Sequence, residues 1–534
     1  MNDSPSPFKL TYSTMFEPPE ALHAHFDEAV GRIREHLGAE HAMWIDGRHE
    51  RAPQRFEARS PSDHRVVLGR FQAGDPEHAV AAVTAAERAF TSWSRMPWTE
   101  RVPVLRRAAA LIEERVFFLG AVLAMEVGKN RMEALGEVQE TADLINYYCD
   151  QMEEHNGYAR MMLRDPLPGY VSENTSVLRP HGVWAVIAPF NFPFALAGGP
   201  SSAALIAGNT VVLKAASATP WSGRLLADVF RDAGVPAGVF NYTTGPGGSI
   251  GEALARDPRV AGITFTGSHA VGMHLYRTFA EGAHPRPCIA EMGGKNAAIV
   301  TRRAHITDAA LGVMRSAFGL SGQKCSACSR VYVERSVFND FMSDLHQWTE
   351  AIRIGDPLQR EHWMGPVIDA GALARFEDAV SQIRGLGDAG AIVHGGERLD
   401  HGDLAHGFFC APTIARAPLD HPLWQRELFA PLVMVAPIET LEQGIELANA
   451  SQYGLTAGFY GAAEECERFF DEIEAGVCYA NRPQGATTGA WPGHQPFGGW
   501  KGSGSTGRSA GSIYYLPQYL REQSQTRVRR AAEG

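Results

Sequence analysis

The stretch VWAVIAPFNFPFALAGGPSSAALIAGNTVVLKA, Val183 to Ala215, decides the fold. Residues 180–213 carry no Asp, Glu, Lys or Arg, a composition that a membrane span shares. Pro189, Asn191, Pro193, Gly198, Gly199, Pro200 and Asn209 are expected to interrupt such a span. A buried unit of strand, loop, helix and strand accounts better for VWAVIAP, SSAALIAG and NTVVLKA. The alternation continues downstream through WSGRLLADVFRDAG, VFNYTTG, SIGEALARD and VAGITFTGS. Strand–helix–strand spacing of this kind marks a parallel sheet wrapped by helices, with ligands gathering along one edge.

Outward from this unit, residues 75–160 read as helical. Asp75 can cap, Pro76 suits a first turn, and EHAVAAVTAAERAFTSW carries apolar residues at helical spacing. Pro97 and Pro103 are expected to break that segment. After about residue 290 the runs NAAIV, RVYVE, AIVHGG and LVMVAPI predict a second α/β region. The segment GYARMMLRDPLPGYVSENTSVLRP, 157–180, predicts a protruding hairpin, and the tail after Lys501 is glycine-rich, then aromatic. No repeat of fixed period is present.

Composition narrows the function classes. The 534 residues are 45% hydrophobic and 20% charged, ordinary for a soluble globular protein of several domains. A net charge of −11, with only Arg527, Arg529 and Arg530 clustered, argues against nucleic acid. Seven scattered cysteines fit a reducing, cytoplasmic compartment rather than a disulfide framework. The N-terminal MNDSPSPFKLTYSTMF lacks a basic region followed by an apolar run, so no signal peptide and no membrane association are expected.

Three segments carry chemistry. LSGQKCSACSRVYVE places Cys325 among small residues, with Cys328 three positions on. A zinc site needs four ligands, and no second such pair or clustered histidines follow, so no metal is expected. A redox pair opens a helix after a strand, whereas RVYVE reads as a strand. Cys149, Cys288, Cys328, Cys410, Cys466 and Cys478 read as buried inert thiols. Around Cys325 the small residues admit a ligand, and Lys324 adds positive charge that favours thiolate. A nucleophile also needs a base and an oxyanion donor. AEMGGKNAAIV supplies Glu291 in apolar surroundings, where burial raises a carboxyl toward a useful base. APFNFPFAL supplies Asn191, either a turn residue or a rigid donor.

PFNFPF, EMGGKN and GQKCSACSR stand in the order and approximate spacing of the aldehyde dehydrogenase superfamily, and VVLKAA, ELFAPL and QPFGGWKGSG join them. The chain resembles that family over about residues 45–520, and GQKCSACSR with TGAW before QPFGGWK is similar to its 1-pyrroline-5-carboxylate (L-glutamate γ-semialdehyde) dehydrogenase branch. The resemblance implies a Rossmann-type dinucleotide-binding domain (1–155 and 182–290), a second α/β catalytic domain (291–490) and a small β oligomerisation arm (156–181 and 491–534). It implies NAD(P)-dependent oxidation of L-glutamate γ-semialdehyde to L-glutamate in proline catabolism, by a homodimer or higher homo-oligomer.

By the same resemblance Cys325 is the nucleophile, Asn191 and the Cys325 N–H hold the oxyanion, and Glu291 deprotonates the hydrolytic water. Lys214 contacts the adenosine ribose, Gly267, Ser268 and Gly272 form the phosphate-side turn, and Glu427 holds the nicotinamide ribose beside Phe429, with Ala188, Pro189 and Phe190 lining the cofactor site. Ser217 stands where NAD-selective relatives carry glutamate. A carboxylate there repels a 2′-phosphate and serine does not, so NAD is expected and NADP stays open. Ser326, Gly489 and Ala490 match the substrate-carboxylate site, Phe190 and Phe497 sandwich the aliphatic chain, and Lys324 and Glu137 approach the substrate. Pro492, His494 and KGSGSTGRSAGSIYY depart from the branch. Other readings are a dehydrogenase for another semialdehyde or an aliphatic aldehyde, and a non-catalytic nucleotide-binding protein on this fold. GSGSTGRS, Gly502 to Ser509, also approaches a phosphate-binding loop, with Arg508 in place of lysine, but lacks the flanking strand and helix.

Overall fold

A computed structural model describes residues 18–486 and 489–531. The N-terminal stretch read for targeting, residues 1–16, lies outside the described residues. Val183–Ile187 and Thr210–Lys214 pair in parallel at the middle of a seven-stranded sheet, every residue of both buried. Val260–Thr266 and then Cys288–Glu291 extend the sheet on one side, and Phe240–Thr243 on the other, all in parallel. Met43–Ile45 joins antiparallel and forms a hairpin with Arg48–Glu50. Continuous apolar strands of this kind need helices on both faces, and that requirement explains the charge-free sequence.

The helix after the first strand spans Ala195–Ala207, so Gly198, Gly199 and Pro200 lie inside it rather than ending it. The glycines are there for packing. A Cβ at Gly198 would lie 2.4 Å from Thr141 Cγ2, and one at Gly199 2.9 Å from Leu144 Cδ1. Both neighbours belong to the helix Arg131–Glu154. Pro103 likewise sits within the helix Trp98–Glu114, while Pro97 separates it from Pro76–Arg95. Asp75 caps that first helix, accepting from the N–H groups of Glu77 and His78.

A second seven-stranded sheet runs in the order Ala391–His394, Thr413–Arg416, Leu432–Ile438, Cys328–Glu334, Asn296–Val300, Thr456–Tyr460 and Val477–Ala480. All neighbours are parallel except the first strand at the edge. A third sheet is antiparallel, with Tyr170–Pro180 between Ala159–Met161 and Leu520–Arg530. Of the tail expected in that arm, only Leu520–Arg530 belongs to its sheet. Trp500–Lys501 pairs with Tyr453–Gly454, and Phe497 exchanges backbone hydrogen bonds with Ala510. No helix opens after GSGSTGRS. Instead Ser503 and Ser505 brace the first sheet's edge: Ser505 Oγ accepts from Ala290 N and donates to Cys288 O, and Ser503 Oγ donates to Gly293 O.

Candidate active site

The nucleophile loop is set by three consecutive left-handed residues, Leu320 (φ 49°), Ser321 (φ 54°) and Gly322 (φ 68°). Two non-glycine residues in this region cost on the order of 1–2 kcal/mol each, so tertiary bonds must hold them. Ser321 Oγ donates to Gly365 O at 2.6 Å, and a Cβ at Gly322 would lie 2.4 Å from Ala430 O. Gln323 is buried and fixed at both ends of its side chain, donating to Leu320 O and Pro366 O and accepting from Ile368 N.

Cys325 follows, with Asn296 Nδ2 donating to its carbonyl at 2.6 Å and to Ala327 O at 2.9 Å. Asn296 Oδ1 accepts from Thr456 N, so this one amide clasps the loop to the second sheet. The residue keeps some exposed surface, yet its thiol is enclosed: burial first, then the carboxyls of Glu427 and Glu291, push it up to about 12. The sequence expectation that Lys324 lowers this thiol is corrected. Lys324 Nζ is paired with Glu133 at 2.8 Å, so its charge is neutralised away from the sulfur.

Glu291 ends the strand Cys288–Glu291. Burial raises its carboxyl to about 8, and the Gly499 backbone N–H, from QPFGGWK, partly offsets the rise. Among the described residues Glu291 Oε2 has no hydrogen-bond partner. In its ionised form, a carboxyl with an oxygen not engaged in a hydrogen bond can take a proton from water. Asn191 is buried and donates from Nδ2 to Gln323 O at 2.9 Å, leaving its second N–H for another acceptor. The amide therefore hangs beside the nucleophile loop two residues before the thiol.

The carboxyl ends of the first sheet's strands gather the expected cofactor residues. Ala188 N donates to Lys214 O, and Pro189 and Phe190 continue from there. Lys214 is buried, and burial alone pushes its ammonium down to about 8, with no carboxylate contributing. Ser217 Oγ donates to Gly245 O at 3.1 Å. Gly267 N donates to Glu291 O, Ser268 caps the helix His269–Ala280, and Gly272 packs where a Cβ would meet Met292 Sδ at 2.5 Å. Ser268 and Glu427 line one cavity of about 610 Å³. Glu427 Oε1 accepts from Gly294 N at 2.9 Å, and burial raises its carboxyl. Phe429 has φ 56° and meets Phe190 edge-on at 5.8 Å. A buried ammonium with no ion pair among the described residues and a helix N-terminus at the carboxyl ends of the strands fit a dinucleotide.

Ser326 and Lys324 line a second cavity, of about 550 Å³. Glu137 does not line it. It is fully buried, paired with Lys129 Nζ at 2.5 Å, and its Oε1 accepts from Phe194 N and Ala195 N. Glu137 thus orients the turn that follows Asn191. One helical turn on, Glu140 meets the expected carboxylate loop: a Cβ at Gly489 would lie 2.3 Å from Glu140 Oε1, and Ala490 N donates to this carboxyl. Burial first, then Glu137, raises it to about 8. Sequence reading missed Glu140, Asn296 and Gln323. For Glu140 the only available signal was its place on the same helix face as Glu137.

Among the described residues no group of three His, Cys, Asp or Glu side chains is placed to hold a metal, and no helix is long and apolar enough to cross a membrane. The arrangement of thiol, carboxyl and amide beside a dinucleotide-type sheet edge suits covalent oxidation of a carbonyl carbon. Comparison with known proteins agrees. Residues 44–524 match the model of the aldehyde dehydrogenase family. A 1-pyrroline-5-carboxylate dehydrogenase of Geobacillus sp. (strain WCH70) is 35% identical over 507 residues, covering 93% of this chain and 95% of that protein. The crystal structure of a 1-pyrroline-5-carboxylate dehydrogenase from Thermus with bound NAD superposes with a TM-score of 0.90 at 32% identity, covering 99% of this chain and all of the other. Proline utilization A from Bdellovibrio bacteriovorus gives a TM-score of 0.89 at 34% identity; 95% of this chain is covered, and it spans about half (52%) of that longer one. The chain belongs to the aldehyde dehydrogenase family.

Proposed function

We propose that this enzyme oxidises L-glutamate γ-semialdehyde to L-glutamate, with NAD as hydride acceptor. The observation that carries the reading is an enclosed Cys325 thiol near enough to the Glu291 carboxyl to feel its charge, with the Asn191 amide bonded to Gln323 O two residues before that thiol. Cys325 gives its thiol proton to solvent water, and its sulfur attacks the aldehyde carbon. The second N–H of Asn191 and the Cys325 backbone N–H receive the oxyanion of the thiohemiacetal. When bound, the oxidised cofactor supplies the hydride-accepting ring and a positive charge that favours thiolate. Glu291 then takes a proton from the water that attacks the thioester, releasing the acid and restoring the thiol. Lys214 and Ser268 would hold the adenosine and phosphate side, and Glu427 the nicotinamide ribose.

Substrate recognition rests on Ser326, Gly489 and Ala490 for the carboxylate, with Glu140 facing the α-ammonium and Phe190 and Phe497 along the chain between. The Thermus and Geobacillus relatives' names support this substrate. NADP is a second acceptor, because Ser217 puts no carboxylate beside the unpaired Lys214. The division into dinucleotide-binding, catalytic and arm domains is our reading of the three sheets. The arm exposes Met161, Met162, Leu163 and Tyr170, which supports self-association as a homo-oligomer. Seven free thiols support a cytoplasmic location.

The test is a panel of aldehydes of similar chain length, with NAD and with NADP, following reduced cofactor by absorbance. Glutamate semialdehyde should lead by kcat/KM. If hexanal or succinate semialdehyde leads, the carboxylate-loop assignment is wrong.

A further inference from the structure

The cavity of about 550 Å³ beside Ser326 holds more charge than the reaction uses. Among the described residues lining it, four are cations (Arg131, Arg315, Lys324 and Arg360) and two are carboxylates (Glu133 and Glu361). This excess stands in a chain whose net charge is −11. Three of the cations are already committed. Lys324 pairs with Glu133, Arg131 Nη2 with Asp27 at 2.5 Å, and Arg360 with Glu20 at 3.0 Å. Arg315 is different. It lies in the last turn of the helix Ile306–Phe318, half-buried, and joins no ion pair among the described residues. Its side chain makes one hydrogen bond, from Nη1 to Pro483 O at 3.1 Å.

Its position links the cavity to the substrate loop. The neighbouring Ser316 Oγ accepts from Ala486 N at 2.7 Å and donates to Gly312 O at 2.7 Å. Arg315 and Ser316 therefore hold the segment 483–486, which leads to Gly489 and Ala490 and lines the same cavity through Gln484 and Ala486. A guanidinium with one arm on a carbonyl keeps a planar pair of N–H groups for a carboxylate.

We propose that Arg315 is an outer docking residue for the substrate's carboxylate, engaging it in the cavity before the aldehyde end reaches Cys325. The inference rests on the carboxylate-bearing substrate proposed above. It predicts that Arg315 governs capture and not chemistry, since its side-chain hydrogen bond goes to Pro483 O and not to the thiol, the base or the oxyanion donor. Recognition of a carboxylate by one half-buried guanidinium is worth about three- to tenfold in affinity.

The experiment compares wild type, Arg315→Gln and Arg315→Lys with three aldehydes: glutamate semialdehyde, succinate semialdehyde and uncharged butanal. Arg315→Gln should lower kcat/KM for both carboxylate-bearing aldehydes about three- to tenfold, through KM with kcat held, and leave butanal unchanged. Arg315→Lys, which keeps the charge and loses the planar pair of N–H groups, should recover part of the loss. Glutarate, used as a competitive inhibitor, should weaken in parallel in Arg315→Gln. An equal fall for butanal, or no recovery in Arg315→Lys, overturns docking and leaves Arg315 as a brace for the loop. If succinate semialdehyde outranks glutamate semialdehyde while both still depend on Arg315, docking stands and the proposed substrate falls. If glutamate semialdehyde leads and Arg315→Gln changes nothing, the substrate stands and docking falls.

Discussion

Replacing Glu291 with glutamine separates the two halves of the proposed reaction. Glutamine keeps an oxygen for the Gly499 N–H and the volume of the side chain, so the loop around it should stay in place. It cannot accept a proton from water. Thiohemiacetal formation and hydride loss need no base at this position, whereas thioester hydrolysis does. General-base catalysis contributes about 10²–10⁴ in rate. The variant should therefore release about one reduced cofactor per site in a rapid burst, then turn over 10² to 10⁴ times more slowly. The pH dependence follows from the burial that raises this carboxyl to about 8. About one-tenth is ionised at pH 7 and about nine-tenths at pH 9, so wild-type kcat should rise roughly tenfold across that interval. The rising limb should vanish in the variant. Stopped-flow absorbance gives the burst and steady-state rates the limb. Steady turnover of Glu291→Gln at the wild-type rate, or a wild-type profile flat from pH 7 to 9, would refute the role assigned to Glu291.

Two further outcomes follow from the same geometry. Asn191→Ala removes the amide held by Gln323 O and should lower kcat/KM by about 10²–10³ while cofactor affinity, read by fluorescence titration, stays within twofold. Glu140→Gln tests burial at the substrate loop: the folded-state value of about 8 lies above the ordinary 4.5, so the carboxyl's contribution to stability is complete below 4.5 and is lost as pH rises through 8. Denaturant midpoints should then shift in favour of the variant between pH 6 and pH 9, and a constant difference between the two proteins would show that Glu140 is not held neutral.

The alternation of short apolar runs with helical patterns made both large sheets legible, because a strand buried on two faces leaves an uninterrupted apolar signature. Breakers were less informative. Gly198 and Gly199 read as punctuation, yet they serve close helix packing, a tertiary fact with no local mark. Cys325, Glu291 and Asn191 could be singled out because each sits in a motif of unusual composition. Their surroundings could not. Lys324 reads as a neighbour of the thiol, but its partner Glu133 is 191 positions away. Glu137 and Glu140 share a helix face, and only the three-dimensional packing shows which meets Gly489 and which meets Lys129.

The arm sheet and the general base share a dependence on distant sequence. Ser176 and Glu522 face each other across the arm although 346 positions separate them, and the Gly499 N–H on Glu291 comes from 208 residues downstream. A ribosome adding about 5–20 residues per second needs roughly 20 to 70 seconds to span the first of these gaps. Throughout that time Tyr170–Pro180 has no partner on one long edge, and the nascent chain carries an unpaired β-ribbon. Slower translation over that window should therefore lengthen the time this edge is open to wrong pairing.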